Sequence, residues 1–591
     1  MGKNKNIYKT IRQVAALVML SFVCYSCNKT FDKLPESVLD KTQVYRDVND
    51  ADAAIIGIYG QVMGIADKYI ILNELRGDLM DVTPNADKYL NEINTESVSQ
   101  DNPYSDPRPF YTIIMNCNDA LANFKLMVKD NRMTQADFDL RYSAVGGIRS
   151  WLYLQLGIQF GSIPYITSSL DNVNDIKNQA NYPRLSFDQL LDSLTQFTES
   201  LPYQTPFPAG TSLLTTVDGY ATDKFFLPIK CLLGDLYLWK GDYVQAAANY
   251  HYMMNYADIL YPAMNSEQWY ETYKIAYTGN INGANWSNIF TQPYGERYSN
   301  YEIMWDLPFD QSFSPKNPFI KLFYNSAGGY LLKPSQLAIN NWTAQTRNDN
   351  TPGDFRGNGA SYKIVGGQPI INKFVSNYSP LLPFATNDKW ILYRAATLHF
   401  HFAEAAIRAG QTELAYGFLN WGLKYTLDPE HLGTAHDSRD VTNIEQSFGA
   451  PFDFDARQGD FPSFRSPWYR NNGINGRVSL PLEIIDSSKY YDTTSLPRQF
   501  LNASSQDSLE LNMENYLVNS SALELAFEGD RWPDLLRIAL RREKEQPGSG
   551  VAFLQAKISA KFIAAGEPGL AATVSAKLAE PKNWFLKFDW N

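Results

Sequence analysis

The chain has 591 residues, with 52 Lys+Arg against 63 Asp+Glu for a formal charge of −11, and 14% of it is aromatic, including 37 Tyr. An acidic balance of this kind argues against a nucleic-acid partner, and four cysteines, two of them in the leader region, exclude a cysteine-built metal site. The length exceeds a typical single domain, yet no Pro/Gly/Ser linker or charge block divides it, so one large body with subdomains is expected.

At the start, Lys3, Lys5, Lys9 and Arg12 form a basic region without acid, followed by a short apolar run from Val14 to Val23 that is too short to span a bilayer. This pattern predicts an export signal over residues 1–26. The Ser26-Cys27 junction resembles a bacterial lipobox, in which the cysteine is acylated and becomes the mature N-terminus; Cys24 stands where that pattern usually has Leu or Val. Removing residues 1–26, with four basic and no acidic residues, leaves 48 Lys+Arg against 63 Asp+Glu, a formal charge of −15. Cys117 and Cys231 then remain, each within a predicted helix, and are read as two buried free thiols. No second apolar stretch is long enough to cross a membrane.

Ala144 to Phe160 reads as a helix stopped by Gly161-Ser162-Ile163-Pro164. From Leu232, the positions Gly234, Tyr237, Gly241, Ala246 and Tyr250 follow the tetratricopeptide spacing, with small residues where two helices cross and large ones between. Ala403, Ala406, Gly410, Ala415 and Leu419 repeat that register. About four such pairs predict a mainly α, tetratricopeptide-like scaffold. Residues 261–390 and 429–520, rich in Pro, Gly, Asn, Asp and aromatics, read as long loops carrying short strands, a loop-rich face. The domain reading is a helical region at 27–240 and a second region at 241–591 with the ligand loops, joined in one body.

Catalytic signals are poor. His399 and His401 are two apart on a predicted helix and point about 200° apart around its axis, so chelation is awkward. The acidic run Asp453 to Asp460 puts Arg457 at a calcium-ligand position and misplaces the Gly, so a solvated loop is expected. No G-x-S-x-G, Walker A or zincin motif occurs, although paired carboxylates for glycoside cleavage have no sequence spacing by which to exclude them. Sugars need aromatic platforms beside planar polar groups. Two segments supply that mix: Asn85 to Asn94, with Tyr89 and Asn91, and Asn285 to Tyr298, with Trp286, Tyr294 and Tyr298.

Near the C-terminus lies Leu523-Glu524-Leu525-Ala526-Phe527-Glu528-Gly529-Asp530-Arg531-Trp532-Pro533-Asp534-Leu535-Leu536-Arg537. Leu523 and Phe527 share a helical face, a kink is expected near Gly529 to Trp532, and Glu528–Arg531 and Asp534–Arg537 have i,i+3 spacing. By periodicity alone this is an amphipathic helix with a solvated charged face. The string also closely resembles the signature of SusD/RagB nutrient-uptake lipoproteins, Pro533 standing where many members have a larger side chain. Glu74-Leu75-Arg76-Gly77-Asp78, Arg149-Ser150-Trp151-Leu152-Tyr153 and Tyr301-Glu302-Ile303-Met304-Trp305 are further similar pieces in order.

The resemblance implies a non-enzymatic outer-membrane lipoprotein facing the cell exterior, lipidated at Cys27 and needing no cofactor or metal. It further implies a SusC-type TonB-dependent transporter as partner, over which the protein sits as a lid, and an oligosaccharide ligand. Some members take peptides instead. In the family, aromatics from loops near the two segments above contact the glycan, which makes Tyr89, Asn91, Trp286, Tyr294 and Tyr298 the ligand-binding candidates. The competing class is a surface-anchored glycoside hydrolase with facing carboxylates.

Overall fold

Where the sequence alternates small and large residues, two helices close on each other: a Cβ at Gly234 would run into the ring of Tyr250, and Gly241, at φ +79°, turns the chain between them. The computed structural model describes residues 45–170, 182–255, 283–291, 302–324, 329–382, 388–426, 449–454, 456, 468, 471–485, 487–492 and 499–590. Among these, the helices of eight residues or more are α1 (Val48–Met63), α2 (Arg108–Lys129), α3 (Gln135–Phe160), α4 (Phe187–Glu199), α5 (Ile229–Lys240), α6 (Tyr243–Met254), α7 (Gly283–Thr291), α8 (Gln336–Thr343), α9 (Ala395–Arg408), α10 (Thr412–Leu419), α11 (Ala503–Glu524), α12 (Arg531–Glu545), α13 (Ser549–Ala564) and α14 (Pro568–Leu578).

Neighbours in the chain pack on one another. The pairs α2–α3, α5–α6, α9–α10 and α12–α13 form a tetratricopeptide-like scaffold; α4 bridges α3 to α5, and α6 packs on α9. Strands are short and paired: β1 (Met80–Val82) with β3 (Leu332–Pro334), β2 (Ile303–Pro308) with β6 (Lys389–Arg394), and β4 (Tyr362–Val365) with β5 (Gln368–Ile371), all antiparallel. Every residue of β2 and β6 is buried, which sets Arg394, at the end of β6, in the interior. One apolar cluster runs from Tyr45 to Phe588. Cys117 and Cys231 lie in it as free thiols, and burial pushes Cys117 up to about 12.

Two sequence expectations change. Residues 503–520, read as loop, form most of the 22-residue α11: Asn502 caps its start by accepting the N–H of Ser505 at 2.9 Å, and Leu509, Met513 and Leu517 recur every four residues on a buried face. Many Ser and Asn residues between them obscure the apolar stripe. Within 302–382, the short strands expected there are β2 to β5, and the helix α8 is the addition. The expected kink is a break between α11 and α12, with Gly529 at φ +101° against the Tyr69 ring, where a side chain would collide.

Candidate functional site

The charges of the 523–537 segment do not face solvent. Glu74, on a π-helical turn Ile71–Leu75, reaches the start of α12, where its carboxylate accepts the backbone N–H groups of Gly529 (2.7 Å), Phe527 (3.0 Å), Asp530 (3.1 Å) and Arg531 (3.3 Å). A carboxylate 453 residues away in sequence thus serves the helix N-terminus as a cap would. Arg531 forks onto Asp78 at 2.6 and 2.8 Å instead of meeting Glu528. Asp534 and Arg537 do pair, at 2.8 Å. Arg76 lies 3.8 Å over the fully buried Trp532 ring.

Glu524 and Glu528 complete this node. Glu524 accepts from Arg394 at 2.9 Å, Arg356 at 3.1 Å, the Trp286 indole at 3.2 Å, and also Arg477. Glu528 takes Lys373 at 2.5 Å and Arg394 at 2.6 Å. Burial pushes the Glu524 carboxyl up, but Arg477, Arg394 and Arg356 hold it well below the usual carboxylate range. The solvated-face reading is therefore overturned: two carboxylates gather three guanidiniums and an ammonium in the interior, and the signature is an internal tie among distant segments.

The two helix histidines stay apart. His399 Nδ1 bonds its own turn, 2.7 Å from the Ala395 carbonyl, and burial lowers its pKa to about 4. His401 lies 2.8 Å from Asp235 and 3.5 Å from Asp534; burial pulls it down, but the two carboxylates raise it to about 10. Among the described residues, no group of three or more His, Cys, Asp or Glu could hold a metal ion.

The node ends at an open cleft. Arg356 donates to Asn475 Oδ1 at 3.3 Å, Asn475 donates to the Tyr516 hydroxyl at 2.7 Å, and Tyr516 donates to Asn420 at 2.9 Å. Asn475 and Tyr516 line a cleft of about 740 Å³ between the 480–490 segment and α11. Leu480, Leu482 and Ile485 line it together with Asn512, Asn515 and Asn519 of α11 and the phenols of Tyr490 and Tyr516. Among the described residues, Glu483 and Lys489 are the charged ones of the lining, one of each sign. Burial pushes the Tyr516 phenol up, so it stays neutral. Amides, phenols and apolar side chains around a wet groove offer paired donors and acceptors beside surfaces for C–H groups.

No protein-family model matches the sequence, and no curated protein is similar to it. Solved structures are. A SusD superfamily protein from Bacteroides thetaiotaomicron VPI-5482 superposes with a TM-score of 0.54 at 15% identity, over 90% of this chain and 98% of that one. The chain has the SusD-like fold. A SusD-like carbohydrate-binding protein from Bacteroides fragilis NCTC 9343 matches with a TM-score of 0.51 at 14% identity, covering 84% of this chain and 87% of that chain. Surface glycan-binding protein A from Bacteroides uniformis does so at 0.51 and 14%, covering 86% and 91%.

On this SusD-like scaffold Tyr89, Asn91 and Trp286 do not converge. Tyr89 is half-buried, its hydroxyl 3.1 Å from Asp101 and its ring under the Lys88 ammonium at 4.3 Å. Asn91 is exposed, with its amide on the Asp87 carbonyl at 2.8 Å. Their segment is tied to another part of the chain by Asn85, which donates to the Gly329 carbonyl at 3.1 Å. Neither Tyr89 nor Asn91 lines the cleft. Trp286 is corrected outright: it is 3% exposed on α7, bonds Glu524, and lies under the Lys373 ammonium at 5.0 Å, so it is part of the node and not an open platform. Tyr294, Tyr298 and Cys27 lie outside the described residues, as does most of the 453–460 run. Sequence reasoning missed Tyr490 and the α11 asparagines, whose signal was Asn at i, i+3 and i+7.

Proposed function

We propose that the protein is a non-catalytic, cell-surface lipoprotein that captures oligosaccharide in the cleft between the 480–490 segment and α11 and passes it to a SusC-type TonB-dependent transporter in the outer membrane. The observation that carries this reading is the lining of the cleft, which combines amide and phenol groups with aliphatic side chains, the chemistry that hydroxyl-rich rings with apolar faces require. The SusD-like fold supports it, because solved structures of that fold include proteins described as carbohydrate-binding and surface glycan-binding. Among the described residues the cleft lining holds one carboxylate, Glu483, whereas glycoside cleavage by the usual mechanisms needs two flanking the bond.

Anchoring through an acylated Cys27, as the leader predicts, would hold the body at the membrane surface. The decisive experiment is a glycan and peptide array probed with the soluble form lacking residues 1–27, alongside Tyr490→Ala. Retention of a glycan by the wild type, its loss in the variant, and unchanged glycan length after incubation are expected. Retention of peptides alone, or chain shortening, sinks the reading. For the anchor, a clickable fatty acid should label the full chain and leave Cys27→Ala unlabelled.

A further inference from the structure

The asparagines of α11 carry a direction. Asn512, Asn515 and Asn519 lie at i, i+3 and i+7, within one narrow sector of the helix, and a rise of about 1.5 Å per residue spaces them about 4.5 and about 6 Å apart along the axis. This spacing is close to the advance of one pyranose ring along an extended chain. Behind them stand two cations from other helices. Arg542 of α12 donates to Asn515 Oδ1 at 3.0 Å, and Lys557 of α13 donates to Asn519 Oδ1 at 2.9 Å. Guanidinium and ammonium groups can only donate, so both carboxamide oxygens must face them. Each Nδ2 is then left as a donor without a partner among the described residues. Asn512 is set the other way, since its Nδ2 donates to the Tyr490 hydroxyl at 2.7 Å and its oxygen remains an acceptor.

One of these two cations is paired behind the wall. Arg542 meets Glu514, its Nε 2.6 Å from Oε1, while Lys557 keeps its charge and directs its ammonium at an amide oxygen. Among the described residues, Glu483 and Lys489, of opposite sign, are the charged ones of the lining. A carboxylated or sulfated sugar would therefore meet no guanidinium fork among the described lining residues, in a protein whose overall charge already repels anions.

We infer that the cleft selects uncharged oligosaccharides, read by an acceptor–donor–donor series along α11, and that Arg542 and Lys557 are positioning residues that hold Asn515 and Asn519 in the donor sense. This rests on the capture reading above and adds the ligand class and the means of selection.

The test is affinity electrophoresis of the soluble form in gels containing a neutral polysaccharide (amylopectin, galactomannan or arabinoxylan) or an anionic one (polygalacturonate or chondroitin sulfate). Wild type should be retarded by at least one neutral polymer and by neither anionic one. Asn519→Asp, which replaces the donor with an acceptor while keeping shape and a partner for Lys557, should lose about tenfold or more in affinity with an unchanged melting temperature. Lys557→Met should lose affinity severalfold, and Lys557→Arg should retain it, a rescue that a merely structural lysine would not require. Retardation by anionic polymers alone overturns the inference. So does wild-type affinity in Asn519→Asp when Tyr490→Ala abolishes binding, an outcome that leaves the capture reading standing. Absence of retardation by every polymer removes both.

Discussion

The node around Glu524 and the wall of the cleft are made from similar polar groups, and they differ in how far those groups are satisfied. In the node, Glu524 is fully buried and accepts from Arg394, Arg356, Arg477 and Trp286, while Glu528 takes Lys373 and Arg394. In the wall, Asn515 and Asn519 are each fixed through the oxygen and keep a donor to offer. Saturation in a dry interior produces a unique packing, whereas partial saturation at a wet surface produces recognition. The chain Arg356–Asn475–Tyr516 joins the two, so the rigidity of the node sets the geometry of the wall.

The comparison breaks most sharply at Glu524. Glu524→Ala would remove the carboxylate that Arg394, Arg356 and Arg477 share, leaving Arg394 to Glu528, Arg356 to Asp354 and Arg477 to Glu302, and a cost of roughly 3–5 kcal/mol is expected, read as lost soluble expression or a strongly lowered denaturant midpoint. A near-normal midpoint would show that the node does not hold the fold. Trp532→Ala, which removes a fully buried indole beneath Arg76, should cost a similar 3–5 kcal/mol by chemical unfolding, in the range for large buried aromatics. Trp286→Ala belongs with these, and its first effect should be on the unfolding midpoint rather than on ligand retention.

His401 sharpens the comparison through pH. Its pKa is raised from 6.5 to about 10 by Asp235 and Asp534 against the cost of burial, so folding favours its protonated form. That stabilisation is complete below about pH 6.5 and is lost as pH rises toward 10. The stability difference between wild type and His401→Gln, measured by urea unfolding from pH 6 to 10, should therefore shrink with rising pH; a flat difference would refute a charged His401. The smallest expected effect is at the wall: Tyr490→Ala should shift stability by no more than about 0.5 kcal/mol while removing glycan retention, because the ring is only half-buried.

Some of this was legible in the chain because the physics is local. Gly234 against Tyr250, and the turns at Gly241 and Gly410, follow from contacts within a helix pair, so spacing alone reveals them. The Asp534–Arg537 pair, three residues apart on α12, is legible for the same reason. Glu528 and Arg531 have the same spacing yet straddle the start of α12, and each finds a stronger partner elsewhere. Trp286 sits among Asn and Ser, which imitates a loop platform, but its indole fills the interior beside Glu524. In α11 the Ser and Asn content hid a helix whose buried face is Leu509, Met513 and Leu517.

By itself, then, the sequence determined the helix pairs, the acidic charge balance and the leader pattern, because each is written in composition or in short-range spacing. Only the tertiary structure decided where charge goes. Glu74 and Phe527 are 453 residues apart, as are Asp78 and Arg531, and a carboxylate selects among many guanidiniums by which one burial brings within reach. The direction of the α11 amides was likewise set from outside their own helix, by Arg542 and Lys557 on two others, since an asparagine alone carries a donor and an acceptor and the neighbour that faces it decides which remains.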